Sequence, residues 1–282
     1  MANEVSEIDR RLFLAATGAA FASPLLTASV PAHAHEVAGH VVSVFGKSGN
    51  FDLDDPRDRL LARIKVNASL TGKRVYLWNM SRHMFCEPGK VPYQILAELE
   101  LMTIWIEAPP QGATAGKIGA LFTRAPVDPE TFQPITSYDN PYTGRTVALE
   151  NTLFGGNGFP VDPAASEPNR VFQQHRPHYR MGDEFSIVNF DPDVEEGAHQ
   201  PKIDTAVLTA KYADVMNPDI GSADCQYSFA ANFPADRYRW TDVPKGDPSK
   251  IFSLKVGKKV SQLSDVPPEF QRTLIAQYPE RF

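Results

Sequence analysis

Cysteine is scarce in this chain: only Cys86 and Cys225 occur among 282 residues. Two sulfurs cannot build a four-sulfur zinc site, and these two do not form a Cys-x-x-Cys redox motif. In an oxidising compartment they could pair or remain as quiet buried thiols, and neither has the basic sequence neighbours that favour a thiolate nucleophile. Gly-x-Gly-x-x-Gly, a phosphate-loop lysine and Gly-x-Ser-x-Gly are all missing, which removes the motif-based case for a nucleotide cofactor or a hydrolase nucleophile elbow. No Lys/Arg run occurs and the formal charge is −6, so nothing in the charge pattern attracts nucleic acid or an anionic membrane surface. Internal repeats and low-complexity linkers are absent too.

One apolar run is present, at the N-terminus. Arg10-Arg11 stand directly before Leu12-Phe13-Leu14, and a small-residue apolar stretch follows, ending in Ala32-His33-Ala34. Thr17, Gly18, Ser23, Pro24, Thr27 and Ser29 interrupt it, which suits a cleavable export signal better than a membrane span. We read residues 1–34 as a twin-arginine signal, the protein as periplasmic, and residues 35–282 as a single domain with no stable membrane insertion after cleavage. With that segment's two arginines and three acids set aside, the remaining 248 residues carry −5.

Hydrophobic residues make up 42% and aromatic residues 10%, enough for a sizeable core, while 24 prolines and 18 glycines predict many turns and few long helices. The expected class is mainly β. Asp52-Leu53-Asp54-Asp55-Pro56 caps a short helix over 56–65. From Arg74 to Cys86 the period becomes two, with Val75, Leu77, Asn79, Ser81, His83 and Phe85 on one face and Tyr76, Trp78, Met80, Arg82 and Met84 on the other. Neither face is purely solvent-like, as in a barrel or deep cup.

A turn at Glu87-Pro88-Gly89-Lys90 leads to a second strand over 93–107, a third over 116–124, another near 132–138 and a resumed alternation over 145–153. Such close connections make the strands antiparallel. Residues 155–177 read as a long loop, 184–190 and part of 203–231 as strand or mixed structure, with 206–216 open between strand and helix. The stretch 267–278 reads as an amphipathic C-terminal helix through Phe270, Leu274, Ile275 and Tyr278.

Several of these stretches resemble one family. Phe51-Asp52-Leu53-Asp54-Asp55-Pro56, the Ser69–Trp78 strand, Pro88-Gly89, Asn140-Pro141-Tyr142-Thr143-Gly144-Arg145-Thr146-Val147, Gly257-Lys258-Lys259, Leu263–Pro268 and Tyr278-Pro279 are similar to the bacterial and fungal family catalogued as domain of unknown function 1838. The resemblance spans nearly all of 35–282, and its most specific part is Asn-Pro-Tyr-Thr-Gly-Arg. It implies one domain, often exported by the twin-arginine route, and carries no reaction, cofactor or catalytic set.

Candidates for chemistry therefore come from the residues. His175, His178, Tyr179, Arg180, Asp183 and Glu184 form the densest polar cluster, and His83 sits in a strand with Trp78, Asn79 and Arg82. Imidazole is the natural acid or base near neutral pH. We expect His83, His178, Tyr179, Arg124 and Glu184 as catalytic candidates, and Tyr76, Trp78, Asn79, Tyr93, Trp105, Tyr142 and His175 around the substrate. The competing reading is structural, because buried polar groups usually hold hydrogen-bond partners and Trp78, Trp105 and Trp240 are of the type that fills cores. His175, His178 and Glu184, with His199 or His83 further off, could supply metal donors. Pro177 breaks any helix that would align the two histidines, and an extended strand turns them apart, so no metal is expected.

The resulting expectation is an antiparallel β-barrel, lipocalin-like in general shape, with a long loop and a C-terminal helix. Its expected function is cofactor-independent proton transfer, as a lyase, isomerase or cyclase, on a hydrophobic, aromatic or phenolic small molecule. A non-enzymatic periplasmic carrier of an apolar ligand and a metal-dependent hydrolase or oxygenase are the alternatives, and homo-oligomerisation is left open.

Overall fold

A computed structural model describes residues 41–164, 178–193 and 202–282. They belong to one compact unit, Gly39–Phe282. The 1–34 segment, most of the expected 155–177 loop, His175 and His199 lie outside the described residues.

Helix α1 spans Pro56–Asn67. Asp55 starts it by accepting from the backbone N–H groups of Arg57 and Asp58, and Pro56 occupies the first turn, where a missing N–H costs nothing. Leu60, Leu61, Ile64 and Val66 are buried. Its C-terminal end is held by an unusual group: the buried amine of Lys259 donates to the carbonyls of Lys65 and Ala68 and to Ser222 Oγ.

Eleven strands follow: β1 Val75–Cys86, β2 Tyr93–Glu107, β3 Gly116–Val127, β4 Ser137–Asp139, β5 Thr146–Ala148, β6 Thr152–Val161, β7 His178–Met181, β8 Glu184–Asp193, β9 Lys202–Lys211, β10 Cys225–Pro234 and β11 Lys250–Val260. The short helix α2, Tyr212–Met216, continues directly from β9. Nine strands form one antiparallel sheet in the order β6-β3-β2-β1-β11-β10-β9-β8-β7, and β4-β5 form a separate hairpin. The mainly β class holds. The hydrogen-bonded order is open, and among the described residues no ladder joins β6 to β7.

The sheet nevertheless curls. Ile118 of β3 and Phe185 of β8 belong to one apolar cluster around α1. Six strand spacings separate these strands, roughly 29 Å if flat, whereas a helix is only about 10 Å across. The sheet must therefore wrap the helix, which fills one end of its inner face. The other end is filled by Phe85, Leu96, Leu149 and Ile251 with Tyr93, Tyr138, Tyr142, Tyr238 and Trp240. On the outer face, Ala97, Leu99, Leu101, Ala125 and Val260 pack against Phe270 and Leu274.

β1 follows the expected alternation, with every odd position from Val75 to Phe85 buried and every even one half-buried. Several expected boundaries are corrected. The strand near 132–138 is only Ser137–Asp139, because Asp128 closes a turn onto Thr131 and Phe132 takes φ +58°. The single alternation over 145–153 is two strands, β5 and the start of β6. Strand β6 runs on through Gly155-Gly156, which the sequence places in a loop: the register slips between Ile118 and Ala120, and Gly155 takes φ +108°, where a Cβ would run into the Ala120 carbonyl and no side chain fits. The ambiguous 206–216 stretch is strand to Lys211 and helix thereafter. The expected C-terminal helix is one turn at Pro268–Phe270 running into a π-helical stretch, Gln271–Ile275.

The cysteines remain free thiols. Cys86 pairs with Lys250 and Cys225 with Lys259, nine residues apart on β11 or about 30 Å, far beyond the reach of a disulfide.

Candidate functional site

Between the two apolar ends, the inner face carries a polar belt that follows from register. One transverse row reads Arg124, Glu100, Asn79, Gly257 and Tyr227 across β3, β2, β1, β11 and β10. The next row reads Glu98, Ser81, Lys255 and Phe229, and the third sets His83 beside Ser253 and Ala231. Neighbouring residues across a ladder point to the same side, so the belt comes from a period-two pattern in which polar residues take inward positions.

Glu100 is its centre and is almost fully buried. Asn79 Nδ2 donates to it at 2.8 Å, Lys255 Nζ at 3.1 and 3.3 Å, and Arg124 Nε makes an ion pair with Oε2. Burial pushes the carboxyl upward, but Lys255 and Arg124 outweigh it and hold Glu100 below the ordinary range. Burial likewise lowers the Lys255 amine, against the pull of Glu100. Lys255 lies 5.2 Å from the Phe229 ring centroid and Arg124 4.9 Å from that of Phe154.

One row away, His83 is held at both ring nitrogens: Nε2 is 2.9 Å from Glu98 Oε2 and Nδ1 is 2.7 Å from Ser253 Oγ. Burial would raise Glu98, yet the His83 hydrogen bond and charge, with Arg124 and Lys255, bring it down to about 2. An ionised Glu98 can only accept, so Nε2 carries a proton and, in the neutral ring, Nδ1 is free to accept from the Ser253 hydroxyl. Glu98 orients the ring and stabilises its cation, while Ser253 is the group through which Nδ1 can exchange a proton.

Trp240 covers this end, its ring centroid 5.2 Å from that of His83. The Asn-Pro-Tyr-Thr-Gly-Arg motif anchors it. Asn140 Oδ1 caps the turn at Tyr142 and Thr143, and Gly144 takes φ +69°. Tyr138 Oη donates to the Trp240 carbonyl, Asn140 Nδ2 to the Thr241 carbonyl, and Arg145 pairs with Asp242.

Of the sequence candidates, His83, Asn79 and Arg124 share this belt. Tyr93 and Tyr142 line its Trp240 end, packed on Phe85 at 5.8 and 4.7 Å, with their hydroxyls bonded to Glu87 and Asp247. Burial and then Glu87 push the Tyr93 phenol up to about 12. Tyr76 and Trp78 lie on the outer face, Trp78 against Phe270 at 5.5 Å, and Trp105 also faces outward, its indole covering Gly119. His178 is on β7, four strands from β11, with its ring against Phe185. Burial and then Arg63 and Arg59 lower it. Tyr179 and Glu184 are exposed, and Arg180 stacks on Tyr212 at 3.9 Å. The structure thus does not bring His178, Tyr179 or Glu184 to His83.

Glu98, Glu100, Tyr227, Ser253 and Lys255 are missed by sequence reasoning. The available signal was Glu98 and Glu100 at i, i+2 inside an otherwise apolar strand, a pattern that sets two carboxylates on one face. Among the described residues, no group of three His, Cys, Asp or Glu is placed to hold a metal ion. A cleft of about 460 Å³ between Thr131–Pro134 and the C-terminal segment holds the exposed Glu269–Arg272 pair and no histidine. No family model matches the chain, and no curated protein matches it.

Proposed function

We propose that this protein is a cofactor-independent acid–base enzyme, a lyase, isomerase or cyclase, that moves protons on a hydrophobic aromatic or phenolic small molecule, with His83 as the proton-transferring group. The observation that carries this reading is His83 fixed at both nitrogens, between an ionised Glu98 and the Ser253 hydroxyl, inside the curled sheet. A proton leaving the substrate passes to Ser253 Oγ as the serine's own proton moves to Nδ1, and the reverse sequence returns it at a second carbon or oxygen. Glu98 holds the imidazolium in between. Phe122, Phe154, Tyr227 and Phe229 supply apolar wall on the same face. A passive carrier would need only such walls. Burying Glu98, Glu100 and Lys255 in the middle of a ligand face costs free energy that a carrier has no use for, and this favours the catalytic reading.

The proposal includes closure of the curled sheet into a lipocalin-like barrel, export through the twin-arginine signal to the periplasm, and kinship with the domain of unknown function 1838. Their support is the wrapping of α1, the Arg10-Arg11 segment and the Asn140–Arg145 motif. Among the described residues, no helix is long and apolar enough to cross a membrane.

The test is deuterium incorporation from D2O into a panel of enolisable aromatic ketones and phenols, followed by NMR, for wild type and His83→Gln. Exchange catalysed by wild type and reduced at least 100-fold in His83→Gln is the expected result. Equal exchange by both proteins overturns the assignment.

A further inference from the structure

The belt also names the chemistry of its ligand, resting on the acid–base reading above. Arg124 uses only Nε on Glu100. Its two Nη nitrogens bond to no described residue, and its side chain remains 25% exposed, the most accessible charge of the belt. Tyr227, on the same row, likewise has a hydroxyl without a hydrogen-bond partner among the described residues. Burial first, and then the Glu100 charge, keep that phenol protonated, so it remains a donor. The Arg124 charge pulls the phenol the other way without overcoming them. Both oxygens of Glu100 are already engaged by Asn79, Lys255 and Arg124 and do not compete for these donors. Gly257 separates Asn79 from Tyr227 in the row.

Unfilled donors beside a buried polar belt are what a developing or resident oxyanion requires. Flat apolar surface adjoins them: Phe122 and Phe154 stack at 4.4 Å with 8° between their planes, and the Arg124 guanidinium lies over Phe154. We propose that the ligand is an aromatic molecule bearing an anionic oxygen, a carboxylate, phenolate or enolate, received by the free Nη groups of Arg124 and the Tyr227 hydroxyl, with its ring against Phe122 and Phe154. Arg124 and Tyr227 then set specificity, while His83 and Ser253 move the proton.

The experiment compares binding of benzoate and 4-nitrophenolate with that of their neutral counterparts benzamide and 4-nitroanisole, by calorimetry on the purified protein. The anions are expected to bind at least tenfold more tightly. Arg124→Gln should abolish that preference, Arg124→Lys should retain part of it, and Tyr227→Phe should weaken anion binding several-fold with little change for the neutral compounds. Tyr227→Phe removes one oxygen only and decides the matter if Arg124→Gln does not fold. Equal affinity within each pair, no binding of any of the four, or a preference that survives Tyr227→Phe and Arg124→Gln overturns the proposal. His83→Gln separates the two claims: it should keep the anion preference while losing exchange, so a protein that prefers anions but catalyses no exchange contradicts only the acid–base assignment.

Discussion

Replacing Glu98 by glutamine removes one charge from the inner belt while keeping the shape of the side chain and an oxygen to accept from His83 Nε2. The carboxyl is held at about 2 in the folded protein, against 4.5 for an ordinary glutamate. Its folded value is depressed, so its contribution to stability is complete above about 4.5 and is lost as the pH falls toward 2. At about 1.36 kcal/mol per unit of pH, the gap amounts to about 3 kcal/mol at pH 7, of which about 2 kcal/mol is gone by pH 3. Glutamine has no such contribution at any pH. The stability difference between wild type and Glu98→Gln, read by urea denaturation at pH 7 and pH 3, should therefore shrink by about 2 kcal/mol on acidification. Carboxylates outside this network titrate in both proteins and cancel in the difference. A difference that stays constant, or grows as the pH falls, refutes the charge network around His83.

Further outcomes follow from the packing. Phe270→Ala empties a buried site against Trp78 and should cost about 3–5 kcal/mol in chemical denaturation, whereas a cost below about 1 kcal/mol contradicts the role of the C-terminal segment as the outer-face cover. Gly257→Ala drives a methyl group into the Trp78 carbonyl and the Asn79 backbone, which cannot rotate away, and should lower the thermal midpoint by several degrees or prevent folding; an unchanged midpoint refutes that register. Burial holds Lys65 down at about 7, so between there and about 10.5 the unfolded chain binds more protons and stability gains with rising pH; Lys65→Met should flatten this slope, and an unaltered slope contradicts it. Denatured, unreduced protein should take up two equivalents of iodoacetamide, while uptake of none reveals a Cys86–Cys225 bridge.

The sequence revealed the parts of the fold that repeat locally. Asp55-Pro56 marks the start of α1, and alternation from Val75 to Phe85 assigns the faces of β1, because capping and pleating are short-range. Strand β11 was not legible, since Ser253, Lys255 and Lys259 occupy inward positions where apolar residues are expected, and only long-range pairing supplies their partners in Glu100, His83 and the end of α1. The bulge at Gly155 hid β6 for a similar reason: two glycines read as loop until the Ala120 carbonyl is seen against them. His83, Asn79 and Arg124 were legible as chemistry, but their assembly with Glu98, Ser253 and Tyr227 depends on a register across five strands. His178, Tyr179 and Glu184 are close in sequence yet sit on a different part of the sheet from His83, with Tyr179 and Glu184 turned to solvent. Proximity along a strand says little about proximity across a curled sheet.

The most direct test of the relay is a long-range proton–nitrogen NMR spectrum of the histidine rings at neutral pH, assigned by His83→Gln and repeated in Glu98→Gln and Ser253→Ala. We predict a proton on His83 Nε2 that exchanges slowly with water, a Nδ1 resonance that moves in Ser253→Ala, and a faster exchange of the Nε2 proton once the Glu98 carboxylate is replaced by the weaker, neutral acceptor of glutamine. A ring protonated at Nδ1 alone, or one that responds to neither substitution, would contradict it.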